Sequence, residues 1–192
     1  ESRDRFANAV YTLIDAVRAS QAKWIVGVSS FVDYAERRRA GVGIDIIVTA
    51  VQWLHGLSLP PRIWEHQAMS SLMHETAISV YLFNDVVSLK KEVGEGFFDS
   101  TVPILVWNKS ISPQAAVNEA VKMMENSWQS LLAAAETLKY FAKTEQDKRE
   151  VQVLINSCKD IVVAHVAYCL RSSRYIAGIT FEGCGKAFKI EL

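Results

Sequence analysis

Apolar residues recur at intervals of three and four along nearly the whole chain, while strict alternation is almost absent. The pattern therefore predicts helices rather than strands. Phe6, Val10, Leu13, Ile14 and Val17 form the stripe of a first helix. A second is expected from about Gln21 to Arg39, and a third from about Ile44 to Leu57, stopped by Pro60-Pro61. The fourth should cover about Ile63 to Glu92 with an internal break, and Gly94 and Gly96 end it. A loop-like stretch from Phe97 to Ser112 holds at most a short helix around Val102 to Asn108. Ser112-Pro113, a cap followed by proline in the first turn, then opens a long helix to about Phe141. A last helix is expected from about Lys148 to Tyr175, with a glycine-bearing tail from Gly178 to Gly185. The expected fold class is all-α, a single helical domain over residues 1-192.

Composition narrows the class without naming a chemistry. The chain has 192 residues, half of them apolar, and 21 basic residues against 21 acidic. It can bury a sizeable core, and it has no basic surplus of the kind that nucleic acid demands. The longest basic block is Arg37-Arg38-Arg39, which by itself reads as a solvated helix C-terminus favoured by the helix dipole. Cys158, Cys169 and Cys184 are odd in number and lack metal-ligand spacing, so reduced thiols in a cytoplasmic protein are expected. The most apolar stretch, Gly41 to Leu59, is interrupted by Asp45, Gln52 and His55, and no membrane span is expected. His55, His66, His74 and His165 form no ligand pattern, and Trp24, Trp64, Trp107 and Trp128 read as core or surface anchors. The opening residues, Glu1-Ser2-Arg3-Asp4-Arg5, carry neither an initiating Met nor a signal-like apolar run, and read as the middle of a longer protein.

One segment carries chemistry. In Asn84-Asp85-Val86-Val87-Ser88-Leu89-Lys90-Lys91-Glu92, Asn84, Ser88 and Glu92 fall four residues apart. On a helix such positions advance by about 40° per step and share one face. They offer an amide oxygen, a hydroxyl and a carboxylate, an all-oxygen set suited to Mg²⁺, which keeps waters and shares phosphate ligands. Taken alone, the same stripe also describes the polar face of an amphipathic helix.

Two further features stand at fixed separations from the stripe. Arg38 lies 46 residues before Asn84, at the helix break Gly41-Val42-Gly43, and Arg174-Tyr175 lies 90 residues after it. Together with Asn-Asp-x-x-Ser-x-x-x-Glu, these resemble class I terpene cyclases of the microbial type. The Ser-Leu-Lys-Lys-Glu variant looks most like fungal sesquiterpene cyclases. The resemblance covers essentially the whole chain, including Ala164 to Tyr175, which is similar to the family's last active-site helix with Tyr168 where Trp is common.

The resemblance implies a class I terpenoid synthase-like helical bundle that ionises a prenyl diphosphate, farnesyl diphosphate foremost, with loss of diphosphate. By resemblance, Asn84, Ser88 and Glu92 hold one Mg²⁺ of a three-ion cluster. Arg38 senses the diphosphate, and Lys91, Arg174 and Tyr175 donate to its oxygens. Backbone at Val42 faces the cation, while Trp53, Phe83 and Tyr168 shape the apolar cavity. The family usually has a side chain linking the arginine to the break, where this chain has Gly41.

The family's other metal motif, Asp-Asp-x-x-Asp/Glu, has no counterpart among the scattered aspartates, and only 37 residues precede Arg38. The expectation is therefore the C-terminal portion of a cyclase without its N-terminal helices. Such a chain should expose apolar faces and form a homodimer or take up an N-terminal partner segment. The alternative is a non-catalytic helical binding or assembly module with the same fold.

Overall fold

The computed structural model describes residues 2–23, 28–176, 179–181 and 188–190. The helix order begins with α1 (Ser2–Lys23), α2 (Phe31–Gly41), α3 (Ile44–Leu54), α4 (Pro61–Trp64) and α5 (Gln67–Gly94). It continues with α6 (Thr101–Lys109), α7 (Pro113–Phe141), α8 (Glu145–Cys169) and α9 (Ser173–Ile176). A small antiparallel pair, β1 (Ile179–Phe181) and β2 (Phe188–Ile190), closes the described chain with Thr180 opposite Lys189. β1 lies within the glycine-bearing tail and β2 just beyond it. Trp24 and Cys184 lie outside the described residues.

α5 is the centre of the bundle. Val80, Tyr81, Leu82 and Phe83 are buried in succession, so this part of the helix has no solvent face. It packs chiefly on α7 and α8, while α1 lies across α2 and α3, and α6 bridges α2, α5 and α7. The largest apolar cluster joins Val48, Leu72, Leu131, Leu138, Leu154 and Ile155, from α3, α5, α7 and α8. Each such side chain taken from water contributes about 1.5–3 kcal/mol. Cys158 and Cys169 are both buried, in keeping with small core residues.

Local chemistry explains the boundaries. Ser112 Oγ accepts from Ala115 N at 3.2 Å, and Pro113 fills the first turn of α7. Thr144 and Asp147 exchange side-chain-to-backbone bonds in a capping box at α8. Two expected boundaries, of the second and last helices, are corrected, and the break expected in the fourth is located. The second helix starts at Phe31, not Gln21, because Ser30 Oγ caps it by accepting from Asp33 N at 3.1 Å. The fourth divides into α4 and α5 because His66 leaves helical geometry and its Nδ1 accepts from Ala68 N at 3.1 Å. The last divides at Leu170–Ser172, so Tyr175 stands on α9 rather than on α8.

The break between α2 and α3 falls where Gly41-Val42-Gly43 places it. Val42 N donates to Arg38 O at 3.0 Å, and Gly43 has φ 78° and ψ 12°. A side chain there would be strained, so glycine lets the chain turn directly from one helix into the next. Arg38 is thereby held in the last turn of α2, facing α5. No helix among the described residues is long and apolar enough to cross a membrane.

Candidate active site

A helix buried on all sides must satisfy its own polar side chains, and α5 carries several. Thr76 returns its hydroxyl to Leu72 O, and Ser79 meets Ser127 Oγ at 3.2 Å. Further along, Asn84 is held from two directions. Its Oδ1 accepts from Arg38 Nη2 at 2.8 Å, and its Nδ2 donates to Tyr175 Oη at 3.1 Å. The fold therefore joins Arg38, Asn84 and Tyr175, which are far apart in the chain, in one hydrogen-bonded line.

Asp85 organises this region, and sequence reading passed over it as one scattered aspartate. Its carboxylate is almost wholly buried. Arg38 Nε and Nη2 donate to Oδ1 at 3.2 and 3.0 Å. Tyr34 Oη, Thr101 N (3.1 Å) and Thr101 Oγ1 (2.6 Å) donate to Oδ2. Burial disfavours the charge on Arg38, but the Asp85 carboxylate outweighs it and holds the guanidinium firmly protonated. Burial, and then the Asp85 charge, push the Tyr34 phenol well up and Tyr81 to about 12. The available signal was adjacency to Asn84: a carboxylate one position on points about 100° away, toward α2.

Glu92 differs from Asp85. Burial, with the nearby Asp85 charge second, raises its carboxyl above the ordinary range, and Ser88 and Ser100 partly oppose this. Ser88 Oγ, Glu92 Oε2 and Ser100 Oγ are all buried, yet none has a hydrogen-bond partner of normal geometry. More than nine in ten buried polar groups are satisfied, so two such hydroxyls and one carboxylate oxygen need an explanation. A hard cation supplies one, because it needs oxygen donors and brings no hydrogen-bond requirement of its own. The residues present fit such an ion, with Asn84 Oδ1 as a further oxygen. Among the described residues there is no group of three His, Cys, Asp or Glu able to hold a metal. The donor set here is one carboxylate plus amide and hydroxyl oxygens.

Arg38, Asn84, Asp85, Glu92 and Arg174 line a cavity of about 660 Å³, closed on the α1 side by Val17 and Ser20. Arg37 also faces it, but is committed to Asp99 at 3.1 Å and to Ser29 Oγ at 3.2 Å. Arg174 places its guanidinium 5.6 Å from the Tyr175 ring centroid. Val42 lies at the break behind Arg38, half-buried against the core. Phe83 is buried beneath this end of the cavity with Val87 and Cys169, and Tyr175 packs on them. Tyr168 is largely exposed, with its ring 6.2 Å from that of Tyr175. Two residues stand apart. Lys91 points along α5 to Glu95 at 3.1 Å, and Trp53 stacks on Phe6 of α1 with centroids 4.7 Å apart.

The chain is a helical bundle whose buried central helix faces an arginine, and comparison with known proteins gives its family. The family model described as terpene synthase family 2, C-terminal metal binding, matches residues 1–130, and the chain belongs to that family. It is 24% identical over 167 residues to a cycloaraneosene synthase of Sordaria araneosa, covering 87% of this chain and 45% of that protein. It is 25% identical over 176 residues to a sesquiterpene cyclase of Aspergillus oryzae, covering 90% of this chain and 48% of the relative. The chain thus spans less than half the length of these relatives. The crystal structure of an α-eudesmol synthase superposes with a TM-score of 0.80 at 21% identity, covering 90% of this chain and 56% of that one. The fold is the class I terpenoid synthase helical bundle.

Proposed function

We propose that the chain forms the metal- and diphosphate-binding part of a cytoplasmic, Mg²⁺-dependent terpene cyclase. The substrate is a prenyl diphosphate, and the sesquiterpene cyclase among its relatives makes farnesyl diphosphate the first choice. The observation that carries this reading is the convergence of Arg38, Asn84, Glu92 and Arg174 on one cavity, with buried, unpartnered oxygens on Ser88 and Glu92.

In this reading Asn84, Ser88 and Glu92 hold the cation. When bound, Mg²⁺ offsets the charge that develops on the departing diphosphate. Arg38 releases Asn84 Oδ1 and donates its fork to phosphate oxygens, while Asp85 keeps the guanidinium charged and in place. Arg174 and the Tyr175 hydroxyl close from α9 and complete the set of donors around the leaving group. Lys91 joins them by leaving Glu95. Phe83 and Tyr168, beside Tyr175, supply the apolar and aromatic wall at this end, where a ring face can steady a cation by about 1–2 kcal/mol. Val42 follows Gly41, which lines the cavity, and its backbone is the carbonyl-bearing break in this reading, while Trp53 contributes through its packing on α1.

The test is incubation of this chain, alone and together with any segment encoded upstream of it, with farnesyl diphosphate and Mg²⁺. Diphosphate release and volatile hydrocarbons are measured for the unmodified protein, Asn84→Ala and Glu92→Ala. Release that needs Mg²⁺ and disappears in both variants is expected. No release in any combination would overturn the reading and leave a helical binding or assembly module.

A further inference from the structure

Ser100 sits at the N-cap of α6 with extended backbone, φ −144° and ψ 154°, the place where a serine hydroxyl ordinarily accepts an amide of the first turn. It makes no such bond. The side chain is only 1% exposed and its Oγ has no partner. The third residue of the helix, Pro103, has no N–H to offer a cap, and Asp85 of α5 satisfies the Thr101 amide and hydroxyl. A serine placed as a cap and relieved of capping has its hydroxyl available for another group.

That group is Glu92. The bonds from Thr101 to Asp85 draw Ser100 up to α5, where Ser88 stands one helical turn before Glu92 on the same face. Both serines lower the Glu92 carboxyl's affinity for a proton, and Glu92 Oε2 is itself buried and unpartnered. Asp85, two turns earlier on the same helix, and Arg38 of α2 are the charged groups that act on it. Two buried hydroxyls, one on α5 and one at the start of α6, thus stand unpartnered beside a buried carboxyl oxygen, with Asn84 two helical turns earlier on α5. Loss of bulk water without a partner is costly for each of them. Packing at a helix start does not account for the arrangement, since an alanine or a glycine would fill the position without a stranded hydroxyl.

We infer that Ser100 is a positioning residue of the cation site, its uncommitted hydroxyl placed to donate to the Glu92 carboxylate and set it in line with Ser88 and Asn84. The inference rests on the reading of Glu92 as a cation ligand. It also makes Asp85 a shared support. One carboxylate oxygen holds Arg38, the other holds the start of α6, and Ser100 follows from that start. The arginine that meets the diphosphate and the residue that orients the metal ligand are then set by the same buried group.

The experiment is a calorimetric titration of the 192-residue chain with Mn²⁺ in the presence of inorganic diphosphate, alongside thermal unfolding. Ser100→Ala should weaken Mn²⁺ binding by about tenfold, as loss of a residue supporting a ligand does, and leave the unfolding midpoint in place. Ser112→Ala, which removes a cap that is used, should lower the midpoint and leave Mn²⁺ affinity alone. Added to Glu92→Gln, Ser100→Ala should cause no further loss, because its effect runs through the carboxylate. Ser100→Gly, which also suits a helix cap, repeats the test if the alanine variant does not fold. A lower midpoint with unchanged affinity would assign Ser100 to capping and overturn the inference, and so would unchanged values of both. If Glu92→Gln weakens binding and Ser100→Ala does not, the inference alone fails. If the unmodified chain and Glu92→Gln bind Mn²⁺ equally, the reading of Glu92 fails and the inference falls with it.

Discussion

Arg38 Nη2 and Asn84 Oδ1 hold each other at 2.8 Å, so the residue proposed to meet diphosphate occupies the oxygen proposed to meet metal. Each has to release the other before either ligand is fully bound. Diphosphate draws the guanidinium away and frees the amide oxygen, which makes the two ligands cooperative. Mn²⁺ should bind at least about fivefold more tightly when diphosphate is present, within the range typical of coupled sites. Calorimetry with and without diphosphate checks this, and equal affinities would count against a shared latch.

Asp85 should be the costliest polar residue to remove. Its carboxylate is buried and serves Arg38, Tyr34 and Thr101 together. Asp85→Ala leaves the partly buried Arg38 guanidinium and the buried Tyr34 and Thr101 donors without their partner, a change that destabilises by about 3 kcal/mol. For a domain of this size each kcal/mol lowers the unfolding midpoint by about 2–4 °C. Glu136→Ala, at the exposed pair with Lys139, should cost clearly less. Similar losses for the two would remove Asp85 from its central place.

Glu92 gives a pH signature whose sign follows from its raised carboxyl. Between the ordinary value of 4.5 and its raised value, the folded chain binds more protons than the unfolded chain. Stability therefore falls as pH rises through that window, and the deficit persists above it. Glu92→Gln removes the deficit. The variant should unfold at a higher temperature than the unmodified chain near neutral pH, with the gap shrinking as pH drops to about 4. A constant gap at every pH would mean that burial of the charge is not the cause. The same substitution should weaken Mn²⁺ binding, so stability and site move in opposite directions.

The α1 helix leaves Tyr11 and Ile14 exposed at adjacent positions of a three-residue spacing. Such a patch favours association with a second copy or another segment. Replacing both by Asp should weaken self-association by about tenfold, or ~1.4 kcal/mol, in sedimentation velocity over a concentration series. A chain that stays monomeric at every concentration would argue against homodimerisation through this face.

Periodicity and end signals determined much of the chain by themselves. Ser112-Pro113 and the stripe that follows it mark α7 from Pro113 to Phe141, because capping and apolar spacing are local properties. The alignment of Asn84, Ser88 and Glu92 on one face of α5 is equally local, and the four-residue spacing displays it in the sequence. The partners of those residues are not local. Asp85 takes its role from Tyr34, Arg38 and Thr101, which reach it from α2 and the start of α6. Trp53 turns toward Phe6, and Ser100 abandons its own helix, for the same reason. A side chain's period says which face it occupies, but only the packing of α2, α5 and α6 decides what stands opposite, because hydrogen bonds and buried charge depend on distances between helices that no local pattern encodes.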